Sequence, residues 1–157
     1  MNIKKTIQYK EWEFNFDWLE ADHHEFTEVQ FDKVKRISSV IEDSNVIFDV
    51  GANIGMYSTF FRHFYPNSEI YAFEAIKDTA KVCKLNTEPY NINVSDYGIW
   101  DSNTKLTFST PKGTAVQSTN YGFYWDGIES ENTEVDVRTL DSVCEDLNTT
   151  PDFLKID

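Results

Sequence analysis

Cysteine is scarce. The chain has two, Cys83 and Cys144, and neither belongs to a Cys-x-x-Cys pair. Neither a disulfide framework nor a thiolate zinc site is expected, and a reducing, cytoplasmic setting is the default. Bases are also few. The 14 Lys and Arg stand against 27 Asp and Glu, a net charge of −13. Nonspecific binding to phosphate backbones needs clustered Lys and Arg, so no nucleic-acid partner is expected. No apolar run approaches the ~20 residues of a membrane-spanning helix. The lysines of the first eight residues are followed by no apolar stretch of the signal-peptide kind. Neither a membrane partner nor a secretory leader is expected, and internal repeats and low-complexity tracts are lacking too.

What is present fits one globular domain. The 157 residues are 40% hydrophobic and 15% aromatic, enough apolar area to oppose chain entropy. Trp12, Phe14, Phe16 and Trp18 alternate with polar residues, the period of a strand with one buried face. This aromatic ladder suits packing on the domain or on a second copy of it. Val29, Val34, Ile37 and Ile41 recur near the helical period and predict a helix over 26–42. Residues 1–45 then form an N-terminal strand and helix extension.

Residues 46–157 read as a partial Rossmann-like domain. Val46–Val50 is a short apolar run with no helical period, as in a parallel strand buried on both faces. A tight loop over 51–55 leads to a helix over 56–65, which Pro66 stops. A strand over 69–73, a helix over 78–85 capped near Asp78, and a strand over 91–95 follow. This strand and helix order predicts an α/β fold with a doubly wound parallel sheet. Residues 105–109 and 133–137 alternate and predict an inserted β-hairpin, with a long polar stretch between them. A helix over 139–147 and a fourth core strand over 152–157 complete the pattern.

The chemistry concentrates in Asp49-Val-Gly51-Ala-Asn53-Ile-Gly55, which leaves a buried strand and opens a helix. Gly51 and Gly55 let a ligand approach the backbone, and Asn53 tolerates a left-handed conformation better than most residues. A dinucleotide fingerprint would place glycines at 51, 53 and 56, but Asn53 and Met56 occupy two of those positions. Asp49 would repel a pyrophosphate and suits a cationic amino group, which S-adenosylmethionine carries. Glu74 ends the second core strand, where a carboxylate can accept hydrogen bonds from both hydroxyls of an adenosine ribose.

Four segments, Asp49–Ser58, Ala72–Ala75, Val137–Asp141 and Asp152–Asp157, resemble the FkbM family of S-adenosylmethionine-dependent methyltransferases. The resemblance implies a class I methyltransferase fold and methyl transfer, usually to a hydroxyl of a sugar or other small metabolite. Its glycine loop maps onto Gly51, Asn53 and Gly55, and its ribose-binding acid onto Glu74. The family usually continues after the position of Asp157 with Val-Glu-Gly and further strands. The expectation is therefore a chain truncated after its fourth strand, lacking much of the acceptor pocket and inactive alone. An uncovered fourth strand would favour homo-oligomers.

Asp157, beside the crevice, is the candidate for positioning the acceptor or taking its proton. Tyr57 and Ser58 either touch the methionine end of the cofactor or serve packing and capping. Asp96 and Asp101 follow the third strand, where they contact adenine or are solvated. His23 and His24 are adjacent, so their side chains diverge and no metal site is expected. His63 suits the carboxyl end of its helix, and Cys83 and Cys144 fall on apolar helix stripes. Two rival readings are a non-catalytic cofactor-binding or assembly module and an NAD-dependent oxidoreductase.

Overall fold

The computed structural model describes residues 2–9, 12–19, 28–41, 43–111 and 130–157. Two strands come first, β1 (Asn2–Tyr9) and β2 (Trp12–Leu19), paired antiparallel from Asn2↔Leu19 to Tyr9↔Trp12. The aromatic alternation marked β2. Its partner β1 escaped notice because its lysines leave few apolar residues to set a period. Phe16 is buried and meets Phe60 edge-on at 6.5 Å, so this strand packs on the domain. Helix α1 (Glu28–Ser38) buries Val34 completely, while Ile37 lies exposed. The helix ends at Ser38, short of the predicted limit at 42, where the Ser38 and Ser39 hydroxyls donate to the Lys35 and Arg36 carbonyls; His23, His24 and its predicted start lie outside the described residues.

The central sheet is built from β3 (Val46–Val50), β4 (Glu69–Phe73), β5 (Asn93–Ser95) and β9 (Phe153–Ile156), all parallel, in the order β5-β4-β3-β9. Between them come α2 (Met56–Phe64), α3 (Lys77–Thr87) with a 3-10 turn at Glu88–Tyr90, and α4 (Leu140–Leu147). The fold is therefore α/β and Rossmann-like, as the alternating pattern predicts. The order reverses between β3 and β9, and a ligand crevice forms at such a switch point, beyond the carboxyl ends of the strands.

Strand periodicity sorts the core. Ile47 faces a cluster with Phe60 and Phe61 of α2 and Val82 of α3, whereas Phe48 and Val50 face Val143 of α4. On β9, Phe153 joins the first cluster and Leu154 the second. Asp49 and Lys155 fall on the α2 face by the same alternation, and they are partners in the β3–β9 register.

A second sheet has the order β6-β8-β7, from β6 (Gly98–Trp100), β7 (Thr104–Pro111) and β8 (Ser130–Thr139). Strands β7 and β8 form the expected antiparallel hairpin. Strand β6 pairs parallel with β8; three residues are too few to show a period. Through Val135 and Val137 this sheet packs on Ala75 and Ile76.

Two local expectations need correction. The third core strand starts at Asn93 rather than Asn91, because Asn91 adopts a left-handed conformation that closes the 3-10 turn. Asp78 does not cap α3. The helix begins after extended Ile76, and Asp78 sits in the first turn, where a negative charge complements the helix dipole.

At the amino end of the sheet, Asp152 fastens β9 to the start of β3. It accepts the Ser44 hydroxyl, the Asn45 N–H at 2.9 Å and the Val46 N–H at 3.1 Å. Partial desolvation pushes the carboxyl up, but these hydrogen bonds outweigh it and hold Asp152 below the ordinary carboxylate range. A depressed folded pKa gives stability that is full above the unfolded value and lost as pH falls through the folded one. In acid titrations followed by circular dichroism, Asp152→Asn should lose part of the wild-type drop in stability below the ordinary carboxylate pKa and be less stable at neutral pH.

Candidate functional site

The loop between β3 and α2 is held by its own backbone. Gly51 and Ala52 both donate N–H bonds to the Phe73 carbonyl, at 2.9 and 3.0 Å, and Gly55 donates to Ala52 at 2.9 Å. Three residues take positive φ: Gly51 at 71°, Asn53 at 52° and Gly55 at 87°. Asn53 thus fills the left-handed role expected of it. Gly55 is required for a second reason. A Cβ there would lie 2.6 Å from Thr87 Cγ2 and 3.0 Å from Cys83 Sγ.

Glu74 lies just past β4 and is buried. Its Oε2 accepts the Asn53 N–H and its Oε1 the Ile76 N–H, each at 2.9 Å. Burial raises its pKa, against the pull of these two backbone bonds; nearby Asp49 adds to the rise and Lys155 opposes it. A carboxylate offers about four lone-pair sites, so each oxygen keeps capacity for one more donor. Asn53 Oδ1, close by in the same loop, is buried with no hydrogen-bond partner among the described residues.

Asp49 is fully buried beneath the loop. The Ser58 hydroxyl donates to its Oδ2 at 2.6 Å, so Ser58 serves the buried acid. Its Oδ1 has no well-directed hydrogen bond but faces the Lys155 ammonium at 3.0 Å. Lys155 was not singled out in the sequence, yet it is central here. Its Nζ donates to the carbonyls of Gly51 at 3.0 Å and Val50 at 3.3 Å, and it lies 3.5 Å from Asp157 Oδ2. The Tyr57 ring centroid stands 5.2 Å away, within cation–π reach. Burial first, then Asp157, raises the Tyr57 pKa against Lys155, which keeps the phenol neutral.

The structure thus brings together Asp49, Gly51, Asn53, Gly55, Tyr57, Glu74 and Asp157 at the carboxyl ends of β3, β4 and β9. The side chain of Asp157 is 75% exposed. Asp96 and Asp101 are exposed; Asp96 follows β5 at the same end of the sheet, next to Ser95, whose carbonyl accepts the Glu74 N–H at 3.1 Å. Cys83 is buried with its thiol pushed up by desolvation, a core residue as its helix stripe suggests. Among the described residues, no group of three His, Cys, Asp or Glu converges to hold a metal, and no helix is long and apolar enough to cross a membrane.

A polar groove of about 480 Å³ opens at the other end of the sheet, between Arg62, Ser68, Tyr90 and Asn93. The Arg62 guanidinium there is spent on main-chain carbonyls of Tyr90, Pro66, Ser68 and Asn91, so the groove is a structural clasp.

Residues 49–157 match the Methyltransferase FkbM domain, from the buried acid of β3 to the end of β9. The chain belongs to that family. A curated relative, "Methyltransferase 1" of Beauveria bassiana (strain ARSEF 2860), is 33% identical over 66 residues, which cover 42% of this chain and 26% of the relative. The chain spans about a quarter of that relative's length. The family assignment makes this a methyltransferase domain, and its α/β sheet carries the matched segment.

The glycine loop gives a direct stability test. In Gly55→Ala the new methyl group would need both a left-handed backbone and space that Thr87 and Cys83 occupy. A strained φ alone costs ~1–3 kcal/mol, so urea unfolding should show at least that loss. Asn53→Gly, which keeps the left-handed conformation without strain, should change stability far less.

Proposed function

We propose that this chain binds S-adenosylmethionine and forms the cofactor-binding part of an enzyme that methylates a hydroxyl oxygen of a sugar or other small metabolite. The observation that carries the reading is the half-used Glu74 carboxylate, set beside a left-handed glycine loop at the switch point of the sheet. Its two remaining lone-pair directions suit the two hydroxyls of a ribose. The orphaned Asn53 Oδ1 is a buried acceptor awaiting a donor, which also fits a nucleoside in this loop. Asp49 and Asp157 supply negative charge for a cationic ligand, and the pattern of Gly51, Asn53 and Met56 fits a dinucleotide poorly.

When bound, the cofactor supplies a sulfonium methyl carbon for in-line displacement. The chain's own task is alignment, since holding reactants in line is worth up to ~7–11 kcal/mol. A hydroxyl acceptor must also lose its proton. Asp157 is the candidate base, because its carboxylate stands just past β9, at the mouth of the crevice.

Calorimetry with S-adenosylmethionine tests the reading. Wild type should bind, and Glu74→Ala should bind at least ~10-fold more weakly, since a hydrogen bond to a charged group contributes about 1.5–3 kcal/mol. Equal affinities would remove Glu74 from the site. A response to NAD without one to S-adenosylmethionine would transfer the fold to the oxidoreductase reading.

A further inference from the structure

The crevice contains a seat for an ammonium group, and the chain fills it itself. Four oxygens and one aromatic face surround Lys155 Nζ: the Asp49 and Asp157 carboxylates, the Val50 and Gly51 carbonyls, and the Tyr57 ring. This set recognises a small, hydrated-type cation with several donors. Asp49 cannot meet any other cation while Lys155 stays, because Ser58 occupies its second oxygen and the residue has no exposed surface.

We propose that Lys155 is an internal stand-in for the α-ammonium of the ligand, and that binding of an amino-acid-bearing nucleoside displaces it from this seat. The proposal rests on the cofactor reading above and specifies how that ligand is selected. A buried carboxylate without a counter-charge is costly, so the empty crevice needs a cation of its own. Two ammonium groups at one seat would repel each other strongly at this depth. Lysine suits a displaceable occupant. Its flexible four-carbon stem can swing, and exposed Asp157, 3.5 Å from Nζ, offers a second place for the charge at the mouth of the site. A nucleoside lacking the amino-acid part would leave Lys155 where it is. The exchange therefore discriminates in favour of ligands that bring their own ammonium. Once displaced, the Lys155 ammonium lies beside Asp157, where it acts as a positioning residue for the carboxylate rather than as a catalytic one.

The test compares S-adenosylhomocysteine, which has the ammonium, with 5′-methylthioadenosine, which lacks it, on wild type and Lys155→Met by calorimetry. Removing a competitor that holds the seat nine-tenths of the time should tighten S-adenosylhomocysteine ~10-fold and leave methylthioadenosine unchanged. Unchanged or weaker S-adenosylhomocysteine binding, or equal tightening of both ligands, would overturn the proposal while leaving the cofactor reading intact. Failure of wild type to bind both nucleosides would overturn the cofactor reading and this inference with it. Should Lys155→Met not fold, wild type alone decides. Acetylation of Lys155, followed by mass spectrometry, should speed up with saturating S-adenosylhomocysteine and stay constant with methylthioadenosine. An unchanged or slower rate with S-adenosylhomocysteine would refute displacement. A purely structural ion pair would produce neither ligand-selective effect.

Discussion

An ionised carboxylate placed in the middle of a buried strand must be answered by a positive charge, and the crevice is arranged around that demand. Asp49 lies within the apolar strand Val46–Val50, and its answer comes from Lys155, its register partner on β9. Sliding β9 by one residue would turn Lys155 toward Phe48 and Val143 and present Leu154 to Asp49. Burying such a pair brings little net stability, but leaving either member alone is severe, so the pair acts as a specification of register. That register places β9 beside β3, creates the switch point, and sets Asp157 at the mouth of the crevice.

The same pair reaches into the loop. Lys155 takes the carbonyls of Val50 and Gly51, while the Gly51 and Ala52 N–H groups go to Phe73 and the Asn53 N–H goes to Glu74. Each strand around the crevice thus contributes a tether to the turn. Its left-handed residues are over-determined by these bonds, which lets a strained conformation persist without a ligand.

Much of this was legible in the sequence, for identifiable reasons. The strands over 46–50 and 69–73 are continuous apolar runs between clear breaks, and their observed limits are the predicted ones. The left-handed turn at Gly51, Asn53 and Gly55 follows from residue type and spacing, and the position of Glu74 from its place at a strand end. Shorter elements carried too little pattern, as β6 shows, and the start of β5 depended on one left-handed asparagine. Lys155 was missed although a signal existed. It is the one base in the otherwise apolar Phe153–Ile156, just as Asp49 is the one acid in Val46–Val50. Two core strands whose observed spans each hold a single charge, of opposite sign, call for adjacency. Sequence shows the two charges but not the register, which sets them face to face.

The two ends of the sheet spend their polar groups differently, and this contrast supports the proposed site at the carboxyl end. At the amino end, Asp152 is filled by Ser44, Asn45 and Val46, and Arg62 is filled by carbonyls of the neighbouring turns. These two side chains are spent on holding the fold together. At the carboxyl end, Glu74 keeps unused lone pairs, Asn53 Oδ1 has no partner among the described residues, and Asp157 projects from the edge of the crevice. Unused capacity on buried Glu74 and on the buried Asn53 Oδ1 is a cost to the folded state alone. Their concentration around one left-handed turn is what supports the proposed cofactor site there.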